Sequence, residues 1–394
     1  MSLWTFCKGV IVLLHNNPSR MDCPSLKQMP VSLRYFTESD EYIGKSLRSE
    51  ELLYPYWKKF LYNECDIDNK MSEILLDGSI GVGKSLISAV LASWQLYNIL
   101  IMEDWKDYFK MPNCTVSFVF TNEITFGRFT ELVLQSKFLH KYVARTSNNA
   151  IVFENGIEAF LTTIDNLASK DSTNFLLGKN VIFANIHAFP KNNQSEMYKI
   201  AYCNVRNRVH SRFGVYRGLI ITETDSIEQT RDFRNFLSNL DDNGTFRHIC
   251  EPQWKIRPRD NYSDETFKIL YNENEIDIIE SLDDLPDDDG SYKLINVPCN
   301  LLSDFKHDPV GSMQILAGID ALRYSVRFNL DFQTVINYLK DRTISNLIVY
   351  RSSSPEAKYT VDRDGHIVRL HNRSRVNGFG EEAILANDWV VTHT

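Results

Sequence analysis

No run of 18 apolar residues occurs in this chain of 394 residues, so the sequence offers no membrane-spanning helix. It also lacks any C-x-x-C pair. Its seven cysteines (Cys7, Cys23, Cys65, Cys114, Cys203, Cys250 and Cys299) are scattered and odd in number. That pattern argues against a disulfide framework or a clustered zinc site and suits reduced thiols in a cytoplasmic compartment. An excess of positive charge is missing too. The formal charge of −8 excludes an overall basic coat for nucleic acid but leaves room for a local basic channel. No signal peptide is evident: Leu3 to Leu14 is apolar, but Lys8 interrupts it and no small-residue cleavage site follows. That stretch is expected to be a strand or a poorly ordered N-terminus. Internal repeats and low-complexity tracts are absent. What remains, with 43% hydrophobic and 24% charged residues, is the composition of a globular protein with one large domain and appendages, or two domains.

Against these absences one stretch stands out. Gly78-Ser79-Ile80-Gly81-Val82-Gly83-Lys84-Ser85 fits G-x-x-x-x-G-K-[ST], the phosphate-cradling P-loop. Ile74, Leu75 and Leu76 precede it as a buried strand would. Leu86 to about Met102 follows, apolar and free of Pro and Gly, as a helix would be. The glycines let the backbone fold so that its N–H groups face phosphate oxygens, and the helix N-terminus adds positive potential there. Lys84 is expected to reach the β- and γ-phosphates, and the Ser85 hydroxyl to ligate Mg²⁺. ATP with Mg²⁺ is therefore the expected ligand pair.

Further strands are expected at Thr115 to Phe120, Val181 to Ile186 and Gly218 to Thr222, with a hairpin across Ala150 to Thr163 turning at Asn155-Gly156. Helices are expected at Phe126 to Ser136, Ser195 to Val209 and Thr230 to Leu240, and a helix-like patch begins at Tyr54. Strands alternating with helices predict an α/β fold, a P-loop NTPase with a mainly parallel sheet flanked by helices. The expected domains are an irregular segment at 1–45, the ATPase domain with its closing subdomain at 46–320, and a small β-rich tail at 321–394. Within that tail Asn346 to Arg369 reads as β, with a turn at Asp362-Arg363-Asp364-Gly365. The acidic run from Asp283 to Gly290 reads as a solvated loop.

Hydrolysis needs an acidic residue at the end of a neighbouring strand. Val181 to Ile186 is the best strand for it, yet His187 and Ala188 follow. The alternative, Leu219-Ile220-Ile221, runs into Thr222-Glu223-Thr224-Asp225, where Glu223 or Asp225 could serve if that strand lies beside the P-loop strand.

The ordered segments of this chain resemble the ATPase portion of large terminase subunits, the motors that package DNA into tailed-phage heads. The likeness rests on Tyr54-Pro55-Tyr56-Trp57-Lys58-Lys59-Phe60, the P-loop, Phe126-Gly127-Arg128-Phe129 and Leu177-Gly178-Lys179-Asn180-Val181. It continues through Ser211-Arg212-Phe213, Leu219 to Thr224, Tyr262 to Phe267, and Val297-Pro298 through Ala317-Gly318-Ile319, covering about residues 50 to 320. The resemblance implies translocation of double-stranded DNA, a homo-oligomeric ring, and portal and small-subunit partners. By the same likeness His187 and Ala188 replace the Walker B Asp-Glu pair, and Leu219 to Thr224 is the coupling motif that senses the γ-phosphate. Catalysis would then fall to Glu223. Arg206, Arg208 and Arg212, with Arg128 as an outside candidate, could donate a guanidinium to a neighbouring subunit's γ-phosphate. Trp57 or Tyr56 is a candidate stacking platform for the base. The family's nuclease domain has no counterpart in the roughly 75 residues after Ala321. A hydrolysis-impaired nucleotide-binding assembly subunit, or a truncated terminase fragment, is the alternative.

Overall fold

The structure, a computed structural model, describes residues 25–49, 53–66, 71–111, 114–168, 176, 178–188, 195–213, 218–225, 230–240, 245–272, 276–279 and 292–320. It also gives the backbone of four strands between 348 and 392. The Leu3 to Leu14 run, Pro18, Pro24, Leu177, the acidic run at 283–290 and the turn at 362–365 lie outside the described residues.

Eight strands form the central sheet: β1 (Glu73–Gly78), β2 (Thr115–Phe120), β3 (Val143–Ser147), β4 (Ala150–Phe153), β5 (Ile157–Leu161), β6 (Lys179–Ala188), β7 (Leu219–Thr224) and β8 (Phe246–Glu251). Their order is β3-β4-β5-β2-β6-β7-β1-β8. From β5 to β8 every neighbouring pair is parallel, and the antiparallel β3 and β4 extend one edge. The β4–β5 hairpin turns at Asn155 and Gly156, both at positive φ. β7 lies directly beside β1, with Glu223 opposite Leu76. The loops after these two strands therefore meet at the carboxyl edge of the sheet, where open parallel sheets bind ligands.

Both faces of the sheet are covered, and the apolar residues divide between them by alternation. Ile74, Leu76, Phe118, Phe120, Phe183 and Ile221 join one core; Leu75, Val119, Ala184, Ile186 and Ile220 join the other. The first core is covered by α1 (Leu33–Glu38), α2 (Gly44–Ser49), α3 (Pro55–Glu64), α4 (Lys84–Leu100) and α5 (Glu123–Gln135). The second is covered chiefly by α6 (Ser195–Phe213) and α7 (Arg231–Ser238). In α4, 13 of 17 residues are buried, so this helix is enclosed nearly all round.

That enclosure corrects the expectation of an irregular N-terminal segment across its described part. Ser32 caps α1 by accepting a hydrogen bond from the Tyr35 amide, and Phe36 packs on Trp94 and Tyr97 of α4. The Tyr97 hydroxyl accepts from the Val31 amide at 3.0 Å. Widely spaced aromatic anchors hold this segment, and prolines in the sequence obscured them.

After β8 the chain makes the short α8 (Gln253–Ile256) and then an antiparallel sheet in the order β10-β9-β11, from β9 (Thr266–Tyr271), β10 (Ile276–Ile279) and β11 (Lys293–Pro298). Helices α9 (Leu302–His307) and α10 (Pro309–Ile315) bring the chain back to the P-loop. There the Ile80 amide donates to Ile315 O at 2.9 Å and the Gln253 amide to Leu316 O at 2.8 Å. Gly318, at φ 69°, passes so close that a Cβ on it would sit 2.6 Å from the Ser79 nitrogen. Only glycine fits there.

The chain divides into two units between residues 321 and 322. The second contains an antiparallel sheet in the order β14-β13-β12-β15, from β12 (Ile348–Arg351), β13 (Lys358–Val361), β14 (Ile367–Leu370) and β15 (Trp389–Thr392).

Candidate functional site

The loop from Gly78 to Gly83 joins β1 to α4, and its three glycines have φ of 94°, 71° and 90°. Gly83 in the left-handed region ends the turn and starts α4. The first amides of that helix, at Lys84 and Ser85, have no intrahelical acceptor and face whatever the loop encloses.

The loop's carbonyls are held by side chains. Lys84 Nζ donates to Gly78 O at 2.9 Å and Ser79 O at 3.2 Å. Gln253 Nε2 donates to Ile80 O at 3.0 Å, and Arg257 donates to Gly81 O through Nε at 3.1 Å and Nη2 at 2.9 Å. Trp57 Nε1 donates to Val82 O at 2.6 Å. Five consecutive acceptors are thereby matched, which fixes the curl of the backbone. Trp57 is 1% exposed and spends its N–H on the loop. It is a buttress beneath Gly83 with its N–H committed to the loop, which removes Trp57 as a base platform; Tyr56, the other candidate, is half-buried.

The second half of the site comes from β7. Glu223 shares the face of Ile221, the face that α4 covers, and is 1% exposed. Its carboxylate accepts from Ser85 Oγ at 2.7 Å, Asn185 Nδ2 at 2.6 Å and Thr125 Oγ1 at 3.0 Å. Asn122 Nδ2 lies 3.5 Å away. Asp225, just past β7, pairs with Lys84 at 2.8 Å. Lys84 and Ser85 of the loop thus each meet one acidic residue of the neighbouring strand.

β6 ends differently from the expected Asp-Glu position. His187 stands opposite Glu223 in the parallel register, on the α4 side. Burial lowers its pKa, the charges of Glu223 and Asp225 oppose that, Lys84 adds to it, and the net shift is downward. The imidazole is therefore neutral at neutral pH. Ala188 is 0% exposed and packs in the opposite core with Ile186. A carboxylate at 188 would point away from the P-loop. Only 187 lies on the face of the site.

The donor set suits Mg²⁺. Ser85 Oγ, Glu223 and Asp225 offer hard oxygens, and the buried Asn185 Oδ1 accepts from no donor among the described residues. Asn122, Asn185 and Thr125 did not stand out in the sequence. Asn122 lies two residues past the end of β2, and Asn185 lies shortly before the end of β6, so position near the carboxyl ends of parallel strands was the available signal.

The arginine candidates lie elsewhere. Arg206 pairs with Glu73 at 2.9 Å, and Glu73 also accepts from the Tyr202 hydroxyl. Glu73 opens β1, so Arg206 sits roughly 16 Å from the loop at the opposite edge of the sheet. Arg212, about one and a half turns further along α6, is exposed. Arg128 pairs with Glu131 within α5, and Arg208 is half-buried on α6.

Asp77, the last side chain before Gly78, anchors the base of the loop. It accepts from the Gly78 amide at 2.7 Å and Thr224 Oγ1 at 2.8 Å, and it pairs with Arg234 at 3.2 Å and His248 at 3.3 Å. Cys250 Sγ completes a group of three ligand atoms within 4.8 Å, but Arg234 already supplies positive charge to Asp77. Arg234 and Arg231 both bind Asp320 at 2.7 Å, tying the returning chain to the same network. Burial pushes the Asp77 carboxyl up, but His248, Arg234 and Thr224 outweigh it and hold the pKa at about 2. A depressed folded-state pKa stabilises above the ordinary value of 3.8, and that stability is lost as pH falls through about 2. It amounts to about 2 kcal/mol for this buried group. The difference in unfolding free energy between wild type and Asp77→Asn should shrink by about that amount between pH ~5 and ~2. A constant difference across that window would refute the assignment.

No family model matches the sequence, and no curated protein matches it. Among solved structures the chain is similar to the large terminase of a thermophilic bacteriophage, at 9% identity and a TM-score of 0.32 over 66% of this chain and 74% of that one. The same phage's large terminase in complex with ADP aligns at 10% identity and a TM-score of 0.28, over 64% of this chain and 71% of that one.

Proposed function

We propose that this chain is a Mg²⁺-dependent ATPase in which Glu223 replaces the missing Walker B carboxylates, and that it works as a motor on double-stranded DNA. The observation that carries the ATPase reading is the pairing of Lys84 with Asp225 and of Ser85 with Glu223, from the first turn of α4 to the end of β7. Ser85, Glu223 and Asp225 would hold the ion. When bound, Mg²⁺ neutralises charge on the β- and γ-phosphate oxygens.

The chain's own groups have separable tasks. The loop amides other than those of Gly78 and Ile80, which already bond Asp77 and Ile315, bind the phosphate tail together with the amides of the first turn of α4. Lys84 exchanges Asp225 for phosphate, since both are anions of similar reach. Glu223, held by Asn185 and Thr125, orients or deprotonates the attacking water. Glu223 is itself shielded from bulk water at 1% exposure, while Asp225 beside it remains partly exposed.

The motor reading and its DNA, portal and small-subunit partners rest on the ordered sequence segments from about residue 50 to 320. Arg212, exposed at the end of α6, is the candidate for a guanidinium given to the next subunit of a ring. A second reading, a nucleotide-binding assembly subunit that hydrolyses slowly, is favoured by neutral His187 and buried Ala188.

Calorimetry with MgATP and MgADP, followed by ATP turnover with and without double-stranded DNA, tests these readings. Wild type should bind ATP, and Lys84→Ala should weaken binding at least about tenfold by removing a charge-assisted contact. Turnover stimulated by DNA supports the motor; binding without turnover supports the assembly subunit. No uptake of either nucleotide would refute both.

A further inference from the structure

We infer that Arg257 is a phosphate-contacting residue supplied in cis, which touches the γ-phosphate of a triphosphate held in the P-loop. This rests on the nucleotide-binding reading above and goes beyond it by assigning a residue from outside the loop, β7 and α6. Arg257 follows α8, and both Nε and Nη2 of its guanidinium lie on Gly81 O. Gly81 lies within the phosphate-cradling stretch, shortly before Lys84.

Three observations point to an anion. First, among the described residues no carboxylate forms an ion pair with Arg257, whereas Arg206, Arg231, Arg234 and Arg247 all face carboxylates. The half-exposed guanidinium rests on neutral groups, so its charge is balanced by water and not by a carboxylate. Bonds from guanidinium to phosphate are roughly twice as strong as those to a neutral acceptor, so a phosphate oxygen nearby would take the donors from Gly81.

Second, the position is built. The Arg257 amide donates to Gln253 O at 2.9 Å, Gln253 Nε2 holds Ile80 O, and the Tyr262 hydroxyl donates to Gln253 Oε1 at 3.0 Å. The segment that carries the arginine is thus fastened to the loop beside it. Third, the loop leaves room for it. Gly81, held at φ 71° where glycine is favoured on its own account, also carries no Cβ, which would otherwise lie 2.6 Å from Arg257 Nη2. Glycine at this position admits the guanidinium.

The test compares affinities of the full chain for the β,γ-imido analogue of MgATP and for MgADP, in wild type, Arg257→Ala and Arg257→Lys. If Arg257 reaches the γ-phosphate, Arg257→Ala weakens the triphosphate by on the order of 10- to 100-fold. The diphosphate should change by less than about threefold. Arg257→Lys, which keeps the charge but loses the planar fork, should fall between wild type and Arg257→Ala for the triphosphate. Equal losses for both nucleotides would overturn the proposal, showing that Arg257 only braces the loop. Unchanged triphosphate affinity would overturn it as well. Wild type binding neither nucleotide would instead overturn the nucleotide-binding reading, and this proposal with it. A thermal melt matching wild type shows that each variant is folded, so equal losses then report bracing of the loop and not misfolding.

Discussion

Glu223→Gln lowers ATP turnover by on the order of 10²–10⁴-fold, the usual cost of losing a positioned general base. The substitution keeps shape and removes charge. Glu223 now accepts from Ser85, Asn185 and Thr125. A glutamine would offer one oxygen and one amide nitrogen to donors gathered on both sides. One donor would lose its acceptor in a site that is 1% exposed, so a stability loss of about 1–3 kcal/mol accompanies the rate effect. The two effects are separable by measuring turnover well below the melting transition and normalising to folded protein. Nucleotide affinity should fall much less than turnover, because Lys84 and the loop amides are untouched. His187→Ala is the comparison. Neutral and on the same face, His187 can hydrogen-bond near the site, but it brings no negative charge. Undiminished turnover in Glu223→Gln together with its loss in His187→Ala would move the work from β7 to β6.

The P-loop and its flanking elements were legible because the information is local. An apolar strand, three glycines with a lysine and a hydroxyl, and an apolar helix lie within about 30 residues, and the structure folds them in that order. The α/β class was legible for the same reason, since alternating elements report a mainly parallel sheet. Strand order was not. Whether Glu223 or His187 stands nearest the loop depends on β7 lying between β1 and β6, which no local pattern encodes. Facing was also hidden. Adjacent positions His187 and Ala188 look equivalent as a motif, yet a one-residue step sends them to opposite sides of the sheet. Trp57 read as a candidate base platform because an aromatic before a P-loop helix is ambiguous until its N–H partner, Val82 O, is known. The three-stranded sheet formed by β9, β10 and β11 was missed for a different reason. Its strands are largely half-buried, and an acidic run in the sequence interrupts the alternation that would have signalled them.

Arg206→Met destabilises the fold by about 1.5–3 kcal/mol, less than a fully buried ion pair would cost, because Glu73 is buried but the Arg206 side chain is 33% exposed. Glu73 is 2% exposed, and without Arg206 it keeps the Tyr202 hydroxyl and His210. Beside the intact pair, burial lowers the His210 pKa, Glu73 raises it and Arg206 lowers it, with a net downward shift. A donated arginine finger has the opposite signature: turnover falls by about 10³–10⁵-fold and stability is unchanged. Chemical denaturation together with turnover normalised to folded protein therefore distinguishes the two roles of this residue. The double variant Glu73→Gln with Arg206→Met should recover much of the lost stability, because the cost lies in the unpaired buried carboxylate more than in the missing arginine. Arg212→Ala, at an exposed position, should leave stability within about 0.5 kcal/mol, so any large fall in its turnover reports chemistry between subunits. A stable Arg206→Met protein with collapsed turnover would return Arg206 to the catalytic role and remove it from the fold.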